Sequence, residues 1–271
     1  MGELLLGKEV DYDAPYNPGL LCAIPRALGR AELGIDAAAL PFFGCDIWNA
    51  YELSWLDAAG KPIVAIAELR IPVDSACLVE SKSLKLYLNS LNQHRFTSAA
   101  AVCAALESDL GACVGSAVAV ELYLPDRWAQ FEARVPPGTC LDDLPLAIDR
   151  YTPAPELLTA APDVIVSRCW FSRLLRSRCP VTGQPDWGTV VVEYEGPEID
   201  AAALLSYIVS FRQHQEFHEH CVERMFIDIS RHCRPHLLTV YARYLRRGGL
   251  DINPYRSSAA AAPQNIRFFQ Q

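Results

Sequence analysis

The stretch "SRCPVTGQPDWGTV" (177–190) sets a cysteine, Cys179, directly before a turn and an aspartate, Asp186, directly after it. The run Pro-Val-Thr-Gly-Gln-Pro favours a turn, and the alternation of "WGTVVVEY" reads as a strand. If the strands flanking the turn pair, Cys179 and Asp186 share one end of a hairpin, a workable geometry for a nucleophile and a proton donor. Arg178, Arg176 and Arg173 stand close before the cysteine, and positive charge favours the thiolate. A cysteine on a turn is also expected to be less hidden than one in a core. The residue types equally suit an inert, packed cysteine and a turn-forming aspartate, and both readings stay open on spacing alone.

A second constellation lies in "FRQHQEFHEHCVERMFIDISRHC" (211–233), which holds His214, His218, His220, His232, Cys221 and Cys233. His214 and His218 are spaced to chelate, but HExxH and CxxC are both missing. Phe217, Cys221, Met225 and Ile229 recur at i+4, which predicts a helix with Cys221 on its apolar face. His218 and Glu219 then stand at the helix start, better placed to meet a ligand than to hold an ion. A third segment, "VESKSLKLYLNS" (79–90), predicts a helix beginning near Ser81, with Ser81 as a candidate N-cap. Backbone N–H groups at such a start favour anions, and Lys82 and Lys85 would add to that.

These segments need a scaffold, and the chain's self-similarity describes one. "LKLYLNSLNQH" (84–94) and "LLSYIVSFRQH" (204–214) match at a constant offset of 120 residues: Leu84/Leu204, Tyr87/Tyr207, Ser90/Ser210, Gln93/Gln213 and His94/His214. An acid, Glu80 or Asp200, lies four residues before the first leucine of each. The shared offset points to a duplicated module. Strand signals flank both helices: "YELSWLD", "KPIVAIAELRIP" and "SAVAVELYLPD" in the first half, "VIVSRCWFSRLLRS", "GTVVVEYEG" and "HLLTVYARYLRR" in the second. The short link Asp57-Ala-Ala-Gly60 argues for antiparallel hairpins, not βαβ units. The expected architecture is α+β, two related modules, each an antiparallel sheet with helices on one face. Residues 1–135 form the first, 136–160 a Pro- and Ala-rich linker, and 161–271 the second. "SSAAAAPQN" reads as a connector and "IRFFQQ" as a segment that docks its aromatics.

Composition bounds what such a scaffold does. The 271 residues are 51% hydrophobic and 21% charged, enough apolar material for a real core. A net charge of −8 weighs against a broad nucleic-acid surface, though the basic clusters in "SRCWFSRLLRSRC" and "ARYLRRGG" suit one phosphorylated small molecule. The ten cysteines are scattered without CxxC pairs, which fits reduced thiols used mostly as small core residues. "MGELLLGKEVDYDAP" reads as neither a secretory signal nor a myristoylation site, and no apolar run spans a bilayer. A cytoplasmic protein without membrane contact is the expectation.

The three segments in this order resemble the NADPH-dependent 7-cyano-7-deazaguanine reductases of queuosine biosynthesis, in their long bimodular form. "ESKSLKLYLNS" looks like the signature motif of that family, "CPVTGQPDW" like its nucleophile segment and "FHEHC" like its substrate-binding segment. Leu91 departs from the pattern, which usually carries an aromatic there. The resemblance implies two tandem tunnelling-fold modules, a homodimer, NADPH as cofactor and no metal. It implies that Cys179 adds to the nitrile as a covalent thioimide and that Asp186, its pKa raised by burial, protonates the nitrogen. His218 sits against the substrate and is a further proton source. Glu80 and Glu219 would bind the deazaguanine edge, Phe217 would stack on it, and Val79 and Ser81 would complete the wall. Ser81, Lys82, Arg247 and Gly248 match the family's cofactor contacts. The site would thus draw Glu80 from one half and Cys179 from the other. A zinc-dependent GTP-cyclohydrolase-like enzyme, a non-catalytic purine-binding module and an enzyme acting on a base within tRNA are the rival readings.

Overall fold

The computed structural model describes residues 15–271, so the expectations resting on "MGELLLGKEVDYDA" fall outside it. The described chain is mixed α+β and separates into two compact units. One holds residues 15–38, 45–132 and 246–252; the other holds 39–44, 133–245 and 253–271. No helix among the described residues is long and apolar enough to cross a membrane.

In the first unit a short strand β1 (Ala23–Pro25) precedes helix α1 (Ala27–Leu33). Strands β2 (Phe43–Leu56) and β3 (Pro62–Pro72) form a long antiparallel hairpin, with a register shift between Ala50 and Leu53. Strand β4 (Cys77–Val79) pairs with β1 and leads into helix α2 (Ser81–Ser90), followed by α3 (Ala99–Val114) and the strand β5 (Ala119–Tyr123) beside β3. The 3–4 spacing read in the sequence is the packing stripe of α2: Leu84, Tyr87, Leu88 and Leu91 are buried with Trp48, Trp55 and Leu69 of the sheet and Val102, Leu106 and Leu110 of α3. Such side chains each contribute roughly 1.5–3 kcal/mol on burial.

The second unit repeats that plan. After a two-residue strand β6 (Thr139–Cys140), the hairpin β7 (Ala160–Arg178) and β8 (Pro185–Ile199) leads into helices α4 (Ala201–Ser210) and α5 (His218–Cys233) and strand β9 (Leu237–Tyr244). The antiparallel expectation holds for β7, β8 and β9, but β6 joins β7 in parallel. A strand unforeseen in the sequence, β10 (Leu250–Ser257), pairs with β9 through Tyr255–Ser257. Its pattern was hidden by Pro254 and by the polar residues Asp251, Asn253 and Arg256, which are all buried. Asn253 is satisfied by Gln271, and Arg256 forms a fully buried ion pair with Glu223 at 3.0 Å. The expected docking of "IRFFQQ" occurs through Phe268, which packs on Phe171 and Val191, while Phe269 stays exposed.

The residues matched at the 120 offset make the same bonds. Tyr87 donates to Asp109 and Tyr207 to Asp228, both at 2.6 Å. The hydroxyls of Ser90 and Ser210 bond the carbonyls of Tyr87 and Tyr207. The carbonyls of His94 and His214 accept from the amides of Leu56 and Arg178, at the last residue of β2 and of β7. None of the ten cysteines is in a disulfide, and only Cys22, Cys179, Cys221 and Cys233 are buried. Most cysteines are therefore only partly buried, not core residues as expected: Cys45, Cys77 and Cys140 sit at or near strand ends, Cys169 lies within β7, and Cys103 and Cys113 on α3 pack against the edge of the first unit's core.

Candidate active site

Cys179 is the first residue past β7. Its amide donates to Gln184 and its carbonyl accepts from Gly183, both at 2.9 Å, closing a turn in which Gly183 adopts a φ of +69°. The register puts Ser177 opposite Asp186 and Arg178 opposite Pro185. Cys179 and Asp186 therefore do share one hairpin end. The thiol is not exposed as a turn position suggested: Cys179 is only 6% accessible. The cause is the segment His214–Glu216, which runs beside the end of β7, its carbonyl at 214 and its amide at 216 bonded to Arg178. That segment covers the turn.

Helix α5 brings the next group. Its first residue, His218, sets Nε2 3.3 Å from Oδ2 of Asp186, whose carboxyl is 3% exposed. The burial that a proton-donating aspartate needs is thus present. The imidazole lies flat on Tyr244 of β9, with ring centres 3.8 Å apart and planes 6° from parallel, which fixes its rotation. Nδ1 of His218 is buried and makes no hydrogen bond within the described structure. Glu219, one residue on, is buried in the first turn of α5, and Phe217 precedes it with no side-chain cap on the helix. Tyr244 escaped the sequence reading because it closes a strand 26 residues after His218. Its contact with His218 has no sequence spacing to betray it.

His214, Glu216 and Cys221 bring their ligand atoms within 4.8 Å of one another, the arrangement a metal reading requires. The carboxylate is already engaged, by His214 at 2.6 Å and by Arg224 at 3.2 Å. Burial pushes Glu216 up, but the bonds from His214 and Arg224 outweigh it and hold the group below the usual carboxylate range. Burial, reinforced by Glu216, pushes the Cys221 thiol well above its ordinary value. His214, Glu216 and Arg224 are thereby tied into one ion-pair network.

In the other unit, Val79 ends β4 and Glu80 caps α2. The N-cap is Glu80, not Ser81: Glu80 holds extended backbone, and its two oxygens accept from the amides of Lys82 at 2.8 Å and Ser83 at 2.7 Å, while Ser81 is already helical. Oε1 also accepts from the Ser81 hydroxyl at 3.5 Å. Arg247 and Leu250 close a tight turn in which Gly248 and Gly249 take φ values of +58° and +79°, a turn glycine alone makes without strain. A Cβ on Gly248 would meet Nζ of Lys85 at 2.8 Å, so the missing side chain leaves a cradle beside a cation. Lys85, Asn89, Gly248 and Gly249 line one small pocket together with Glu52, whose carboxylate stands 4.0 Å from Nζ of Lys85. Ser81 and Lys82 stand at the start of the same helix as Lys85.

Comparison with known proteins identifies the family. Residues 12–122 match a family described as "Nitrile reductase, 7-cyano-7-deazaguanine-reductase N-term", and residues 185–263 match one described as "QueF-like protein". The NADPH-dependent 7-cyano-7-deazaguanine reductase of Azoarcus sp. (strain BH72) is 58% identical over 253 residues, covering 93% of this chain and 90% of the relative. That of Chromobacterium violaceum is 54% identical over 267 residues, covering 98% and 96%. That of Bordetella pertussis is 57% identical over 258 residues, covering 95% and 94%. The chain belongs to the NADPH-dependent 7-cyano-7-deazaguanine reductase family.

Proposed function

We propose that the chain reduces the nitrile of 7-cyano-7-deazaguanine to the primary amine, through a thioimide on Cys179. The observation that carries this reading is the hairpin end that joins the Cys179 turn to a buried Asp186 held by His218. Direct hydride addition to a nitrile leaves a poorly stabilised nitrogen anion. Addition of the Cys179 sulfur to the nitrile carbon, with proton transfer from Asp186 to the nitrogen, replaces that step with two easier ones. When bound, NADPH supplies one hydride to the carbon at each of two reductions. After the first, the carbon–sulfur bond breaks, the thiol is regenerated and an imine remains; after the second, protonation of nitrogen gives the amine. One nitrile thus consumes two NADPH and two protons.

Glu219 and Glu80 accept the N–H edge of the deazaguanine as charge-assisted hydrogen bonds. Phe217 stacks on the ring, Val79 and Ser81 complete the binding wall, and His218 presents Nδ1. Ser81, Lys82, Arg247 and Gly248 hold the cofactor. The units are read as tandem tunnelling-fold modules, 1–135 and 161–271 joined by 136–160, acting as a cytoplasmic homodimer without nucleic acid. The recurrence of bonds at the 120 offset supports the tandem reading. NADPH oxidation measured against amine formation tests the reaction: two NADPH per amine is expected. A ratio of one, or ligand binding without oxidation, would overturn it.

A further inference from the structure

The stretch "SRCWFSRLLRSRC" holds four arginines, and two of them are spoken for. Arg168 pairs with Glu198 at 3.4 Å and Arg173 with Asp142 at 2.7 Å. Arg176 and Arg178 reach no carboxylate among the described residues, and neither does Arg212, which follows α4. The guanidinium groups of Arg176 and Arg212 both lie over the ring of Trp187, 5.4 and 5.3 Å from its centre. Arg176 Nη1 also donates to the carbonyl of Arg212 at 3.1 Å. The Nε atoms of Arg176 and Arg178 are buried with no hydrogen-bond partner in the described structure. Burial lowers the pKa of Arg176, and the charges of Arg212 and Arg178 lower it further. Three like charges gathered without an acid cost stability, and such costs persist mainly where a ligand offsets them.

The cluster is not an extension of the Cys179 site. Arg176 pairs with Trp187 and Ser177 with Asp186 in adjacent rungs of β7 and β8. Side chains alternate along a strand, so the arginine–tryptophan face of the hairpin is the one opposite Asp186. Trp187 is 40% accessible, so the cluster opens to solvent.

We propose that Arg176, Arg178, Arg212 and Trp187 form a binding site for the phosphate group of a phosphorylated small molecule. Guanidinium forks match phosphate oxygens in pairs, and the indole ring holds two of the forks in place. The phosphate would come either from the 2′-phosphate of NADPH or from a separate phosphorylated ligand; the chemistry recognised is the same.

The test titrates the full chain with inorganic phosphate at constant ionic strength and follows tryptophan fluorescence and melting temperature. Wild type, Arg176→Gln/Arg212→Gln and the control Arg168→Gln are compared. A saturable response in wild type and the control, weakened at least about tenfold in the double variant, is expected. With phosphate absent, the double variant should melt no lower than wild type, since it removes repulsion. Displacement of phosphate by NADPH would assign the site to the cofactor, and simultaneous binding to a separate ligand; either supports the site. Equal responses in all three proteins, no response beyond that to chloride, or a double variant that melts well below wild type would overturn the proposal.

Discussion

The two hairpin–helix–helix halves keep one framework and spend different positions on chemistry. Asp57 of the first half occupies the place of Cys179, one residue past the strand that His94 or His214 flanks. Asp57 closes its own turn, its carboxylate accepting from the amides of Ala59 and Lys61 at 2.9 Å, and these bonds hold its pKa below the usual value. The Cys179 turn closes through backbone bonds alone, and the thiol takes no part in them. Asp186, opposite Ser177, has Ile63 as its counterpart opposite Trp55. Ser98 caps α3 by accepting from Ala101, and Ala99 and Ala100 follow; α5 starts without a side-chain cap and carries His218 and Glu219 there. Conversely, Glu80 makes two cap bonds where Asp200 makes one, and Lys82 is matched by Ala202. The second half gives up local stabilisation at the Cys179 turn and at the start of α5, where it carries candidate chemistry, whereas Glu80 of the first half carries it and keeps its cap bonds. That is the pattern expected of a site built on a duplicated scaffold.

Substitutions at matched positions break or sharpen this comparison. Asp186→Asn should lower kcat by roughly 10²–10⁴ with substrate still bound, whereas Ile63→Val should leave kcat unchanged; stopped-flow NADPH oxidation reads both. Glu216→Gln removes the carboxylate that both His214 and Arg224 bond and should cost on the order of 1–3 kcal/mol in urea unfolding. Phe96, the corresponding residue, carries no such charge. Because Glu216 is held below its ordinary value, its contribution is present above the unfolded carboxylate pKa of 4.5 and is lost as pH falls through the lower, folded one. The gap between wild type and Glu216→Gln should therefore narrow in melts below that pH. A gap that stayed constant would remove the ion pair from the account.

Smaller effects distinguish the two cores. Tyr207→Phe and Tyr87→Phe each delete a buried bond to an aspartate, worth about 1–3 kcal/mol. Asp109 keeps a second donor in Tyr16, at 2.5 Å, so the Tyr87 variant should lose less in chemical denaturation than the Tyr207 variant. The caps give the smallest difference. Glu80→Ala should destabilise by about 1–2 kcal/mol and Asp200→Ala by about 1 kcal/mol or less, with only the former raising KM for the nitrile.

Much of this was legible in the sequence because it rests on local periodicity. The stripes of α2 and α5, the Asp57–Gly60 link, the shared end of the 179–186 hairpin and the 120-residue repeat all follow from spacing. What was not legible depends on contacts across the fold. The burial of Cys179 comes from a segment 35 residues away along the chain. The stack of Tyr244 on His218 and the buried polar strand β10 likewise arise only once the sheet has formed. The cap at Glu80 was misjudged by one residue, since a carboxylate and a hydroxyl side by side compete for the same amides and only backbone geometry decides between them.

The central claim is that Cys179 is a nucleophile and not a packing residue. Intact-mass spectrometry of the protein incubated with 7-cyano-7-deazaguanine, without NADPH and beside a Cys179→Ala control, tests it most directly. The account predicts a mass increase equal to the nitrile, absent in the control and discharged when NADPH is added. Bound nitrile with no covalent adduct on the wild-type chain would contradict it.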